Sequence, residues 1–197
     1  MAKVNTAVKV QRGDGHAGAV FSEDGLFRYQ LWRREEPGEP SILWVLLNPS
    51  TADEQQLDPT LRRVRGFSNG WGFKNWEVCN LFAFRATDPH KMKRAADPVG
   101  PANNQQIEEA ARRCAEIVVG WGGGGWHLGR DRTVMGILTA TGKPIWRLGP
   151  LAKTGTPKHP LYVPGSTLAV RHDWHRTPSV VRPGQLAAAA RDAAERV

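Results

Sequence analysis

Six consecutive apolar residues, Ile42-Leu43-Trp44-Val45-Leu46-Leu47, stop abruptly at Asn48-Pro49-Ser50-Thr51. A run this short and apolar at every position keeps no polar face for water, so it reads as a strand buried on both sides. Such a strand needs a layer of helices above and below it. The rest of the chain supplies them. Segments 76–84, 116–121 and 145–149 read as three more core strands. Between them lie helical patterns over 60–71, 103–114 and 133–140. The first carries Leu61, Val64, Phe67 and Ser68 at helical spacing and ends at Gly70 and Gly72; the last closes at Gly142. Strand–helix alternation predicts an α/β fold, a three-layer αβα arrangement around a mostly parallel four-stranded sheet. Ahead of it, 20–33 reads as a β-hairpin turning at Ser22-Glu23-Asp24-Gly25. The expected organisation is an arm over 1–19, one α/β domain over 20–168, and an extension over 169–197 with a helix at 183–196.

Charge and cysteine content narrow the class. Lys and Arg number 27 against 19 Asp and Glu, a net charge of +8 over 197 residues. That excess suits an acidic partner, nucleic acid first. The longest clean apolar run is 42–47, far too short to cross a membrane. The start of the chain has no apolar segment of the secretory kind, so a cytoplasmic protein is expected, associated with the nucleoid through its substrate. The two cysteines, Cys79 and Cys114, read as buried thiols and cannot supply a four-cysteine cluster. His127, His172 and His175 are scattered, without a partner at metal-ligand spacing. No metal and no cofactor are expected, and a monomer is.

In parallel α/β sheets, ligands bind where the strands end. Asn48-Pro49-Ser50 follows the first core strand, a glycine run over 122–125 follows the third, and Lys158-His159-Pro160 follows the fourth. Asn80, in the second, approaches the same end. Each feature has an ordinary explanation too. Asn48 can cap a turn, the glycines can form a flexible bend, and a loop histidine can be solvated. Gly120-Trp121-Gly122-Gly123-Gly124-Gly125 fits a dinucleotide-binding pattern, but no acidic residue follows at the end of a second strand. Asp53, Asp58 and Asp88 are carboxylates available for acid–base work, while Asp58-Pro59-Thr60 reads equally well as a turn into the helix.

Two resemblances follow from these residues. Leu46-Leu47-Asn48-Pro49-Ser50-Thr51-Ala52-Asp53, Asp58-Pro59-Thr60, Asn80-Leu81-Phe82-Ala83-Phe84-Arg85-Ala86-Thr87-Asp88-Pro89 and His159-Pro160-Leu161-Tyr162-Val163-Pro164 resemble the bacterial and phage family DUF1643, over roughly 20–168. The order of features is also similar to that of the uracil-DNA glycosylase superfamily. There an Asp or Asn before Pro positions a water, an Asn on the second strand reads the flipped base, a Gly loop holds phosphate, and a His-Pro loop closes the site. Asn48-Pro49, Asn80, Gly122-Gly123 and His159-Pro160 occupy those places. The sequence departs in having Leu46-Leu47 before Asn48 and Pro-Leu-Tyr-Val-Pro after His159. It also has Ser50 where the uracil-specific branch has a Tyr that blocks the pyrimidine C5 side.

The second resemblance implies a monofunctional DNA glycosylase that flips a modified pyrimidine, such as glucosylated hydroxymethylcytosine in phage DNA, and leaves an abasic site, as in anti-phage defence. It implies Asn48 and His159 as catalytic residues, with Asp53 the candidate for a missing base. Asn80, Ser50 and Phe84 would contact the base. Gly122, Gly123, Arg130 and Lys158 would hold DNA, and Tyr162 or Val163 would wedge into the duplex. Two alternatives stay open: a nucleic-acid-binding module without catalysis, and an enzyme acting on a free nucleotide. Loss of affinity with salt on long DNA separates a DNA binder from the last.

Overall fold

The computed structural model describes residues 8–12, 16–50, 57–172 and 180–181. Asp53, most of the segment 1–15 and the expected helix at 183–196 lie outside the described residues. Among the described residues nine strands form one mixed sheet: β1 (Val8–Arg12), β2 (Ala17–Ser22), β3 (Arg28–Arg34), β4 (Ser41–Leu46), β5 (Asn75–Asn80), β6 (Glu116–Val119), β7 (Ile145–Leu148), β8 (Ala169–Arg171) and β9 (Val180–Val181). Their order is β1-β2-β3-β5-β4-β6-β7-β8-β9. The four strands expected from the sequence are β4, β5, β6 and β7, and they pair in parallel at the centre. Antiparallel strands extend them on both sides.

The sheet is therefore wider than expected. Residues 8–12 of the expected arm form β1, whose Val-Lys-Val-Gln alternation fits an edge strand. Likewise, β8 opens the expected C-terminal extension yet pairs with β7, so the sheet crosses the boundary placed at 168. The hairpin lies where expected. Ser22 Oγ donates to Asp24 at 2.6 Å, and Gly25 takes the positive φ of 70° that closes the turn.

Both faces of the centre are covered. α1 (Pro59–Gly70) lies on one face, α3 (Asn103–Arg113) and α4 (Arg130–Thr139) on the other, and α2 (Pro89–Arg94) is a short turn of helix in the expected loop 85–100. β4 shows why its sequence has no polar position after Ser41. Ile42, Trp44 and Leu46 pack with Leu61, Val64, Phe67 and Trp71. Leu43 and Val45 pack with Ile107, Ala110, Val134 and Leu138. Trp44 stacks on Trp71 at 5.5 Å, and its indole N–H donates to Ser68 Oγ at 3.0 Å, which explains a serine on the buried stripe of α1. Cys79 and Cys114 are buried free thiols, and burial pushes the pKa of both up. Among the described residues, no helix is long and apolar enough to cross a membrane.

Candidate functional site

From β4 the chain moves to β5 on one side and then to β6 on the other. The strand ends diverge at this switch, leaving a crevice no connection covers. A cavity of about 530 Å³ opens there, within the range of small-molecule and cofactor sites. Asn48 and Ser50 reach it from the end of β4, Asn80 from β5, Gly122, Gly123 and Gly124 from β6, and Lys158, His159 and Tyr162 from the loop after β7.

Each polar group is held in a definite way. Asn48 Nδ2 donates to the carbonyl of Ala86 at 2.7 Å and of Pro49 at 3.2 Å. Two carbonyl partners identify that atom as the nitrogen, so Oδ1 is left as an acceptor. Asp58 caps α1. Its Oδ1 accepts from the Leu61 N–H at 2.8 Å and its Oδ2 from the Ser50 hydroxyl at 2.8 Å, while Pro59 supplies the first helical φ. Asn80 differs. It is 3% exposed, yet its side-chain amide has no hydrogen-bond partner among the described residues.

His159 is set up as a neutral donor. Burial pushes its pKa down to about 4, against a weaker upward pull from Asp58. The Leu161 N–H donates to its Nδ1 at 3.3 Å. Nδ1 is then unprotonated, which puts the single ring proton on Nε2. The Tyr162 ring sits 5.6 Å from the imidazole and is 81% exposed.

The glycine run is shaped by packing on one side and by open space on the other. A Cβ on Gly124 would lie 2.8 Å from Leu47, and one on Gly125 would lie 2.2 Å from the Trp121 ring. A Cβ on Gly123 would meet nothing within 4 Å. Among the described residues, no group of three or more His, Cys, Asp or Glu side chains is placed to hold a metal ion.

The profile of a family described as "Protein of unknown function (DUF1643)" matches residues 28–161. The chain belongs to this family. The DUF1643 match runs from Arg28 to Leu161 and so takes in every residue lining the cavity except Tyr162. No curated protein and no solved structure matches the chain.

Three residues expected at the site lie elsewhere in this DUF1643 protein. Arg130 is buried beneath α4, where its Nε donates to the Leu81 carbonyl at 2.9 Å and its guanidinium to Asn104 Oδ1 at 2.8 Å. It pins α4 to the end of β5 and presents no surface to phosphate. Val163 is buried in the core on the α1 face, so it cannot act as a wedge. Phe84 packs edge-on to Phe27 at 6.1 Å, off the cavity wall. The structure adds two residues to the set. Asp58, weighed both as an acid–base carboxylate and as a turn residue, lines the cavity. Arg28, 3% exposed at the start of β3, lines it too. A lone arginine between Phe27 and Tyr29, in a stretch otherwise fit for burial, was the signal in the sequence.

Proposed function

We propose that this DUF1643 protein is a DNA glycosylase that hydrolyses the N-glycosidic bond of a flipped base and leaves an abasic site. The observation that carries the reading is Asn80: an amide 3% exposed, without a side-chain hydrogen bond among the described residues, on the wall of a cavity large enough for a base and its sugar. The amide is not among the fully buried unpaired groups, so its polar atoms stay open to the cavity. Such a group on a cavity wall suits a site that a ligand completes. The four parallel strands and the position of the cavity at their ends support a uracil-DNA glycosylase-like arrangement.

The chemistry follows from the atoms left available. As the C1′–N bond breaks, its electron pair stays with the base and the sugar becomes cationic. His159 Nε2–H donates to the base oxygen where negative charge grows. The Asp58 carboxylate stabilises the positive sugar. Asn48 Oδ1 orients a water whose oxygen bonds to C1′; the water gives up a proton to solvent, and the departing base takes one up. An amide cannot serve as the base in this step, so Asn48 positions and does not deprotonate. Ser50, turned toward Asp58, leaves the C5 side of a pyrimidine unblocked. Tyr162 fills the gap in the duplex, and Lys158 with Gly122 and Gly123 binds the backbone. The net charge of +8 supplies the electrostatic attraction.

The test is to count abasic sites in phage DNA carrying C5-modified pyrimidines, in uracil-containing DNA and in unmodified DNA. Sites in a modified or uracil substrate, abolished by Asn48→Ala and by His159→Ala, are expected. Activity that survives both substitutions removes the proposed mechanism. Salt-sensitive DNA binding without abasic sites in any substrate identifies a binding module instead.

A further inference from the structure

Of the eight tryptophans in the chain, Trp126 alone is exposed among the described ones, at 63%. It directly follows the glycine run that lines the cavity, and Leu128 beyond it is 64% exposed. Between them the His127 ring lies 5.6 Å from the buried Phe82, which ties the loop to the core. Leu128 has a φ of 54°, a left-handed conformation that costs a bulky side chain energy and costs glycine little. Gly129 beside it takes the same conformation, with a φ of 64°. Glycine at 128 would relieve the strain, and an exposed leucine adds little to the core. Strain held at an exposed apolar residue points to a contact outside the chain.

The charge beside this loop indicates what makes that contact. Lys93 of α2 places its ammonium 5.4 Å from the centre of the Trp126 ring. Lys91 and Arg94 are exposed on the same short helix, and neither they nor Lys93 enter an ion pair among the described residues. Asp88 borders the patch but caps α2, accepting from the His90 N–H at 2.8 Å; Asp131 accepts from the Arg132 N–H at 2.9 Å. Pro89, which begins α2, lines the cavity, so the patch starts at the cavity's rim. An aromatic face among cations suits an unpaired base and its phosphates, since every base offers a π-face and every phosphate a negative charge. We infer that Trp126, Leu128 and Lys93 form a platform for single-stranded DNA: an unpaired base next to the cavity stacks on the indole surface that Lys93 leaves open, and Lys93 pairs with the phosphate. Duplex DNA fits less well, because its bases are already stacked on one another. The inference rests on the nucleic-acid part of the reading above and not on its chemistry.

The experiment uses the full chain and a labelled oligothymidylate of about 15 nucleotides, since stacking on aromatic side chains tolerates any base. Anisotropy is read across a salt series, with a hairpin duplex in parallel. Trp126→Ala is expected to weaken single-strand binding about 10-fold or more, to remove most of the quenching of protein fluorescence by the oligonucleotide, and to keep the salt slope. Lys93→Gln is expected to lower that slope by about 0.7. Leu128→Asn, which takes the left-handed conformation more readily, should raise Tm and weaken binding. Unchanged affinity in a folded Trp126→Ala overturns the platform, and abasic sites still formed then leave the glycosylase standing. The expected losses without abasic sites in any substrate uphold the platform and remove the glycosylase. Neither DNA binding nor abasic sites in the wild type overturns both. Equal losses on the duplex overturn stacking on an unpaired base. Binding to phosphatidylcholine–phosphatidylserine vesicles that Trp126→Ala abolishes, with oligonucleotide affinity unchanged, assigns the patch to a membrane surface and overturns the proposal. If Trp126→Ala fails to fold by circular dichroism, unchanged affinity and slope in both Lys93→Gln and Leu128→Asn overturn it.

Discussion

Replacing Asn80 by Leu should make this protein more stable while destroying its activity. Asn80 is 3% exposed and its amide has no protein partner among the described residues, with Leu46, Leu61 and Val78 lining the same cavity. An unpaired buried polar group costs about 1–3 kcal/mol. The low end applies because the remaining exposure gives the amide some access to solvent. Removing that cost is worth about 1 kcal/mol, which for a chain of this size raises Tm by about 2–4 °C. Asn103 is the internal control. It is 0% exposed; its Oδ1 has no partner among the described residues, but its Nδ2 donates to the carbonyls of Asn80 and Leu81, both at 3.0 Å. Asn103→Leu strips two backbone acceptors of a donor and should cost about 2 kcal/mol, a fall in Tm of roughly 4–8 °C. Thermal melts of the two variants, read by circular dichroism beside an abasic-site assay, give opposite signs if the reasoning holds. A loss of stability in Asn80→Leu as large as in Asn103→Leu would show that Asn80 serves the fold, and the ligand reading of the cavity would fall with it.

Three further outcomes are expected. The folded His159 pKa of about 4 lies below its ordinary 6.5, so between those values the unfolded chain binds the proton and the folded chain does not; stability rises with pH across that window. Wild type should lose more stability than His159→Gln on acidification from pH 6.5 to 4, and a matched loss in both would contradict the neutral imidazole. Gly123→Ala should hold stability within about 0.5 kcal/mol while weakening DNA cleavage, whereas Gly124→Ala, with its Cβ 2.8 Å from Leu47, should lower Tm; the reverse order in a melt would sink this account of the loop. Tyr162→Ala, at an 81% exposed position, should leave Tm unchanged and slow cleavage of duplex more than of single-stranded substrate; equal slowing of both would argue against a wedge.

The four core strands were legible because each announces itself locally: β4 is apolar from Ile42 to its end, and turn residues mark where such segments stop. Asn48, Asn80, the glycines and His159 were legible for the same reason, since they sit where apolar runs end and parallel sheets bind ligands at those ends. What escaped the sequence depends on distant partners. β1 is a strand only because β2 lies next to it. Arg130 looks like a surface cation until the Leu81 carbonyl and Asn104 claim its guanidinium. Val163 and Tyr162 are neighbours in one loop, and only the packing on the α1 face decides which is buried. Arg28 became part of the cavity because β5, some fifty residues later in the chain, pairs beside β3.

That insertion of β5 between β3 and β4 also sets a timetable for synthesis. Until residue 80 has left the ribosome, β3 and β4 each present a bare edge toward a neighbour that does not yet exist. The second edge of β4 waits for β6, which begins at residue 116. At about 5–20 residues per second, the roughly seventy residues separating β4 from β6 take about 3.5–14 s to translate. Throughout that interval the most apolar strand of the molecule is incompletely covered and open to pairing with another nascent chain. Growth at low temperature or co-expression of a holdase during this window should raise the soluble yield more than any change to the mature protein's surface.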